Sequence, residues 1–359
     1  MSKLILKTLS PLHIGSGNEF ELNFNLLSKD SFIYLFDEDK IVKFLISKNI
    51  QIPSNFDELK KLILQYSEEL ISSQNYFRKI ESNFTKLSKP LQEQVSTQAK
   101  PIITGSSIKG AIKTAYLNKM VKEGKFKNDA ETLEKLEEEY ENSNDKRFVD
   151  KKKKDLIKSI DLKFINELKK SSIYLKISDS LNSLQTKVYK SINIKKEKSH
   201  QNLRTAKVEQ ISNFAECIKE KQEVETSLTI SNDFFKDLAK VCNDFYKDEF
   251  EKEFSHYFLD NQRFKKIELT ANQFLLNIGK FGGAEQKSVE LIRSLPKTGA
   301  DVSWETSARN YALEKDIQDK IHFENSYLSS LLHRKKAIPE IKLRKSFCIS
   351  FYVIYDHVR

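Results

Sequence analysis

The chain has 359 residues, 39% of them hydrophobic and 31% charged, enough to bury a real core beneath a wide solvated surface. A net charge of +10 and an isoelectric point near 9.1 favour a polyanionic partner over an acidic one. Cys217, Cys242 and Cys348 are scattered without a CxxC pair, which excludes a disulfide framework, and no apolar window is long enough to span a membrane. The chain therefore reads as a soluble, cytoplasmic protein with reduced thiols.

In chain order, "KLILKTL" alternates as a strand does and ends at Pro11; its apolar run is too short for a signal peptide. "SFIYLFD" reads as a second strand and "EDKIVKFLISKN" as a helix, and residues 55–95 read as helical and polar. Within "PIITGSSIKGAIKTAYL", Ile108, Ala111, Ile112, Ala115 and Tyr116 recur at i, i+3, i+4, i+7 and i+8, one face of a helix. Ser106 or Ser107 stands where its N-cap belongs. Residues 122–170 are nearly all charge and form either a helical hairpin or a partly disordered arm that buries little apolar area. The run Lys151 to Lys154 reads as a solvated face.

"SSIYLKISDS" and "TKVYKSINI" read as strands, and "FAECIKEKQEVETSLTI" as a β-hairpin in which Val224, Thr226, Leu228 and Ile230 alternate. Residues 232–275 read as helical. In the closing "KSFCISFYVIY", Phe347, Ile349, Phe351, Val353 and Tyr355 alternate as in a strand. The pattern predicts an α+β fold whose terminal strands share one sheet. It divides into a first part (1–121), a charged insertion (122–170), strands and hairpin (171–231), a helical segment (232–275) and a C-terminal part (276–359).

Only nine glycines occur, well below the usual share of about 7%. Seven fall in three clusters: Gly15 and Gly17; Gly105 and Gly110; and Gly279, Gly282 and Gly283. Each cluster reads as a tight turn beside hydroxyl or basic residues. Gly105 and Gly110 satisfy G-x-x-x-x-G, but a P-loop then needs Lys and Ser/Thr, and Ala111 and Ile112 stand there. "GSGNEF" fails as a dinucleotide fingerprint because Phe20 replaces the third glycine. What remains is an anion site: a helix start with N–H donors, and Lys109 and Lys113 on one face at i and i+4.

The six histidines are dispersed and give no metal-ligand spacing. His13, beside a glycine turn, is the one candidate general acid/base. Asp37, Asp179 and Asp301 are candidate acids that nothing in the sequence pairs, and Trp304 and Phe281 are candidates to stack on bases or to fill a core.

"LSPLHIGSG", "PIITGSSIKGAIKTA", "LKISDS" after a charged insertion, and a glycine-rich stretch towards the C-terminus resemble, in that order, the RAMP proteins of CRISPR effector complexes. The length, the insertion and "AECIKEKQEVETSLTI" are most similar to the fifth subunit of the type III-A Csm complex. The resemblance implies a ferredoxin-like (RNA-recognition-like) core with large helical insertions. It implies a non-catalytic RNA-binding subunit that caps the backbone filament at the 3′ side of the guide (CRISPR) RNA and supports guide maturation, without a cofactor. Adjacent backbone subunits, and a host nuclease for guide trimming, are the protein partners it suggests. His13, Gly15, Ser16 and Gly17 match the first glycine loop of the family. Ser106, Ser107, Lys109 and Lys113 match its signature helix start. Gly279, Lys280, Phe281, Gly282, Gly283 and Lys287 match its C-terminal glycine loop, which departs here by reading "GKFGGAEQKS" rather than being rich in aromatics. The backbone subunit of the family cuts RNA with a loop aspartate. Here Glu19 and Glu21 stand in that neighbourhood, consistent with a cap that does not cut. Two rival readings stay open: a metal-independent guide-processing endoribonuclease using His13, and a protein-interaction scaffold without RNA affinity.

Overall fold

The computed structural model describes residues 2–169, 174–196, 206–230, 237–257, 269–280, 309–313 and 352–358. In chain order it begins with strands β1 (Ser2–Thr8), β2 (Gly15–Phe20), β3 (Leu26–Lys29) and β4 (Phe32–Leu35), then helices α1 (Glu38–Ser47), α2 (Phe56–Gln65) and α3 (Ser67–Ser72). Strands β5 (Arg78–Glu81), β6 (Leu91–Gln94), β7 (Ser96–Thr97) and β8 (Lys100–Pro101) lead to helices α4 (Gly105–Lys122), α5 (Lys127–Asn142) and α6 (Lys146–Lys169). Strands β9 (Leu175–Ile177), β10 (Thr186–Lys196), β11 (Ala206–Ile218) and β12 (Glu223–Ile230) follow. The remainder is helix α7 (Leu238–Tyr257) and strands β13 (Gln273–Asn277), β14 (Arg309–Leu313) and β15 (Tyr352–Val358).

The smaller sheet runs β13-β15-β1-β12-β9 with every neighbour antiparallel. Taken as β1-α4-β9-β12-α7-β15, the chain is a βαββαβ unit, and β15-β1-β12-β9 is its ferredoxin-like 4-1-3-2 order. The terminal strands do share a sheet, as the alternation at both ends predicts. Residues 347–351 of the expected last strand lie outside the described residues. Leu4 and Leu6 of β1 and Val224 and Leu228 of β12 meet Ile108, Ile112 and Tyr116 of α4 in the main core. Ile108 and Ile112 are wholly buried, each contributing about 1.5–3 kcal/mol of transfer free energy. The Tyr246 hydroxyl of α7 donates to the Ala111 carbonyl at 2.9 Å, fixing the two helices side by side. At the outer edge of β13, the Asn243 carboxamide accepts from Leu275 N at 3.1 Å and donates to Gln273 O at 2.9 Å.

The larger sheet runs β2-β6-β11-β10-β5-β4-β3, with β14 also paired to β10. Its side chains alternate with period two. Leu26, Ile33 and Leu35 pack with Val188 and Phe214 on one face, while Leu27, Tyr34 and Phe36 pack under α1–α3 on the other.

Three sequence expectations are corrected. Residues 55–95 are helical only as far as α3; β5 ("RKIE") and β6 ("LQEQ") follow. The helical reading of 232–275 fails at β13, a buried strand. "FAECIKEKQEVETSLTI" is not a hairpin: β11 pairs with β10 and β6, whereas β12 pairs with β1 and β9. The four residues between them carry the chain from one sheet to the other. Thr8 holds this crossing, its N–H donating to Gln222 O and its carbonyl accepting from Lys221 N.

The charged insertion is a helical hairpin, α5 against α6, tied by Lys152–Glu139 and Lys163–Asp129. It is more than an appendage, because Phe126, Leu133, Ile160 and Phe164 enter the main core. Among the described residues no helix is long and apolar enough to cross a membrane.

Candidate nucleic-acid interface

The first glycine cluster is not a turn but a bulged edge strand. Between Gly15, opposite Gln94, and Glu19, opposite Gln92, β2 takes four steps while β6 takes two. Gly17 accommodates the excess at φ +97°, where a side chain would be strained. Residues Gly15 to Glu19 are all exposed. Ser16 Oγ donates to Glu93 at 2.8 Å, and Asn18 Nδ2 donates to the same carboxylate oxygen at 3.1 Å. On this strand the polar backbone therefore faces solvent, while the Ser16 side chain is held by a carboxylate. The Glu21 carboxylate is paired with Lys60 at 3.2 Å.

The third cluster meets the first. Gly279 has φ +99°, and a methyl group placed there would lie 2.5 Å from the His13 carbonyl oxygen. Lys280 N donates to that same oxygen at 2.9 Å, and Lys280 Nζ donates to Gln92 Oε1 at 3.0 Å. Phe281, Gly282, Gly283 and Lys287 lie outside the described residues, as do Asp301 and Trp304.

His13 is wholly buried beneath this surface, which corrects its expected place in direct contact with RNA. Its ring Nδ1 lies 2.7 Å from the Glu216 carbonyl oxygen, so this nitrogen carries the proton. Burial lowers its pKa to about 4, with a smaller contribution from the Lys280 charge, against the carbonyl bond. The ring is enclosed with no face open to a substrate, so His13 is not placed as the endoribonuclease reading requires.

Between pH 6.5 and 4 the unfolded chain takes up a proton at His13 that the folded chain refuses. Stability is therefore full above about pH 6.5 and falls with pH down to about 4, by on the order of 3 kcal/mol. Urea titrations of wild type and His13→Asn across this range should show the slope in the first and its loss in the second. Parallel profiles would show that His13 is not the titrating group.

Beneath the glycine strand lies a polar network that the sequence reading missed. Arg78 Nη1 donates to Glu216 Oε2 at 2.7 Å, with both side chains buried. Thr186 Oγ1 donates to Glu216 Oε1 at 2.7 Å, and Gln94 N donates to Oε2 at 3.3 Å. Burial pushes the Glu216 carboxyl up, while Arg78, Thr186 and Gln94 pull it back. One signal was legible: Phe214, Glu216 and Ile218 alternate on one face, so the glutamate takes a core position.

The second cluster opens α4, where the cap is Thr104 rather than Ser106 or Ser107. Thr104 Oγ1 accepts from Ser107 N at 3.4 Å and lies 2.8 Å from Ser107 Oγ; Ser106 is exposed. Gly105 N donates to the Asp179 carboxylate at 2.8 Å. Two of the helix-start donors expected to meet a phosphate are thus satisfied within the protein, and Asp179 is a capping residue rather than an acid. Asp37 stands at the N-cap position of α1, where its side chain makes no capping hydrogen bond.

Lys109 and Lys113 lie one turn further on, both half-buried, and neither has a carboxylate partner among the described residues. Burial, and secondarily the Lys109 charge, lowers the Lys113 pKa. Two like charges held together in partial burial favour an anion between them. The first and second clusters are joined through main chain: Val95 N donates to Ile14 O at 2.8 Å and Ile102 N to Val95 O at 3.2 Å.

The sequence profile of the RAMP superfamily matches residues 5–287. No curated protein sequence matches the chain. Among solved structures, a chain of a Csm–crRNA–target RNA ternary complex of a type III-A CRISPR–Cas system has a TM-score of 0.54 at 18% identity. That similarity covers 88% of this chain and 98% of the other. The crystal structure of T. onnurineus Csm5 has a TM-score of 0.48 at 16% identity, over 77% of this chain and 89% of that one. The profile match runs from β1 through the insertion to the third glycine cluster, taking in strands of both sheets: the chain belongs to the RAMP superfamily.

Proposed function

We propose that the protein is a non-catalytic RNA-binding subunit of a type III-A (Csm) ribonucleoprotein. Its ligand is the guide (CRISPR) RNA and its protein partners are adjacent backbone subunits. In this reading it caps the backbone filament at the 3′ side of the guide and supports guide maturation, leaving trimming to a recruited nuclease. The carrying observation is a RAMP fold that presents Lys109 and Lys113 together, with no carboxylate partner among the described residues, beside the signature helix start. The fold it shares with a chain from a Csm–crRNA–target RNA complex supports the same reading.

Neither lysine touches a base in this picture, so their removal should weaken binding almost independently of sequence. If each neutralises one phosphate of single-stranded RNA, Lys109→Ala with Lys113→Ala should lower the salt slope of log K by about 1.4, measured from about 50 to 200 mM salt. Lys154→Ala with Lys158→Ala is the matched control, an exposed pair at the same spacing on α6. An unchanged slope in the folded first variant, or an equal drop in the control, would sink the assignment.

A further inference from the structure

We propose that Gln94 is the positioning residue that holds the first glycine strand and the start of α4 at one fixed spacing. The two segments then meet the RNA backbone as a single unit; the proposal rests on the RNA-binding reading above.

Gln94 ends β6 with its side chain wholly buried. Its Oε1 accepts from Ile14 N at 2.8 Å, directly before Gly15, and its Nε2 donates to Ile102 O at 3.0 Å, two residues before the Thr104 cap. The orientation of the amide is fixed by these partners, since turning it over would set oxygen against oxygen and N–H against N–H. Both partners are main-chain groups, so this side chain is the only replaceable part of the clamp. The Gln94 N–H joins it to Glu216 Oε2, and the Glu216 carbonyl holds His13, whose own carbonyl holds Lys280 N. The Gln94 carboxamide therefore joins the first two glycine clusters, and its main-chain N–H begins the chain of bonds that reaches the third. A surface that must place donors and charges against successive phosphates needs such buried support to keep its parts in register.

The reading to be excluded is that Gln94 merely satisfies two buried main-chain groups. Gln94→Met keeps the length without hydrogen bonding, and Gln94→Asn keeps both polar functions on a shorter arm. Ile63→Ala, on the buried face of α2, serves as a control for general loss of stability. Hydrogen exchange on the free full-length protein should accelerate in 14–17 and, in step, in 103–107. The latter amides do not bond Gln94; Ile103 N donates to Ser180 Oγ. Binding of a fluorescent single-stranded RNA of guide length should weaken, with a salt slope smaller by about 0.7, one phosphate contact.

Acceleration confined to Ile14, the same changes in Ile63→Ala, or unaltered RNA binding in both Gln94 variants would overturn the proposal. Wild-type protein without RNA affinity would instead overturn the functional reading, and the exchange data alone would then decide whether Gln94 couples the segments.

Discussion

Glu216→Gln is expected to lower the free energy of unfolding by about 3–5 kcal/mol, because it leaves the Arg78 guanidinium charged and buried without its counterion. The magnitude separates this pair from those at the surface. Lys3–Glu225 and Lys7–Glu223 have similar N–O distances but are solvated, and each is worth about 0–1 kcal/mol. Replacing both partners with apolar side chains, Arg78→Met with Glu216→Leu, should recover most of the loss, since neither charge then needs solvation. Denaturant titrations of the two single variants and the double variant measure the coupling directly. A cost below about 1 kcal/mol for Glu216→Gln would mean that water reaches Arg78, and the buried network would not be what holds the glycine strand.

The second large effect is a pair of opposite signs on one helix. Alanine is favoured over glycine inside a helix by about 1 kcal/mol, so propensity alone would make both Gly105→Ala and Gly110→Ala stabilising. At Gly110 a methyl group meets nothing within 4 Å, and a gain of roughly 0.5–1 kcal/mol is expected. At Gly105 the same group would lie 2.2 Å from the Ile177 carbonyl oxygen and 2.8 Å from that of Ser178, both main-chain atoms of β9 and its exit. Steric overlap wins there, and the expected loss is more than about 3 kcal/mol. Thermal melts of the two variants side by side test this. Shifts of the same sign would show that α4 does not approach β9 so closely.

The parts of the fold that the sequence disclosed are those with a long, uninterrupted period. The apolar face of α4 from Ile108 to Tyr116 is buried as read, though the helix opens three residues earlier because Gly105 and Thr104 belong to it and to its cap. The end strands alternate clearly enough to be paired on paper. β5 and β6 were hidden because each has only four residues with polar groups interleaved, and each is held on one side by a strand more than a hundred positions away. The hairpin reading of 214–230 failed because a short link between two alternating runs is also what a sheet-to-sheet crossing looks like. At the site, glycine scarcity singled out three segments, and the structure brings them together. Their chemistry was less legible. His13 proved enclosed, Ser16 and Gly105 proved committed to Glu93 and Asp179, and the support from Arg78, Gln94 and Glu216 depends on residues up to 138 positions apart.

Asn243 has a bearing on how copies or partners of this subunit can join. A sheet edge attracts a foreign strand because its main-chain donors and acceptors are unmet. At β13 one carboxamide already answers Leu275 N and Gln273 O, much as the next strand would. An incoming strand would have to displace α7 and break two hydrogen bonds before forming its own. Among the described residues β13 is thus an edge already answered by a side chain, and growth of an assembly by continuing this sheet through it is disfavoured.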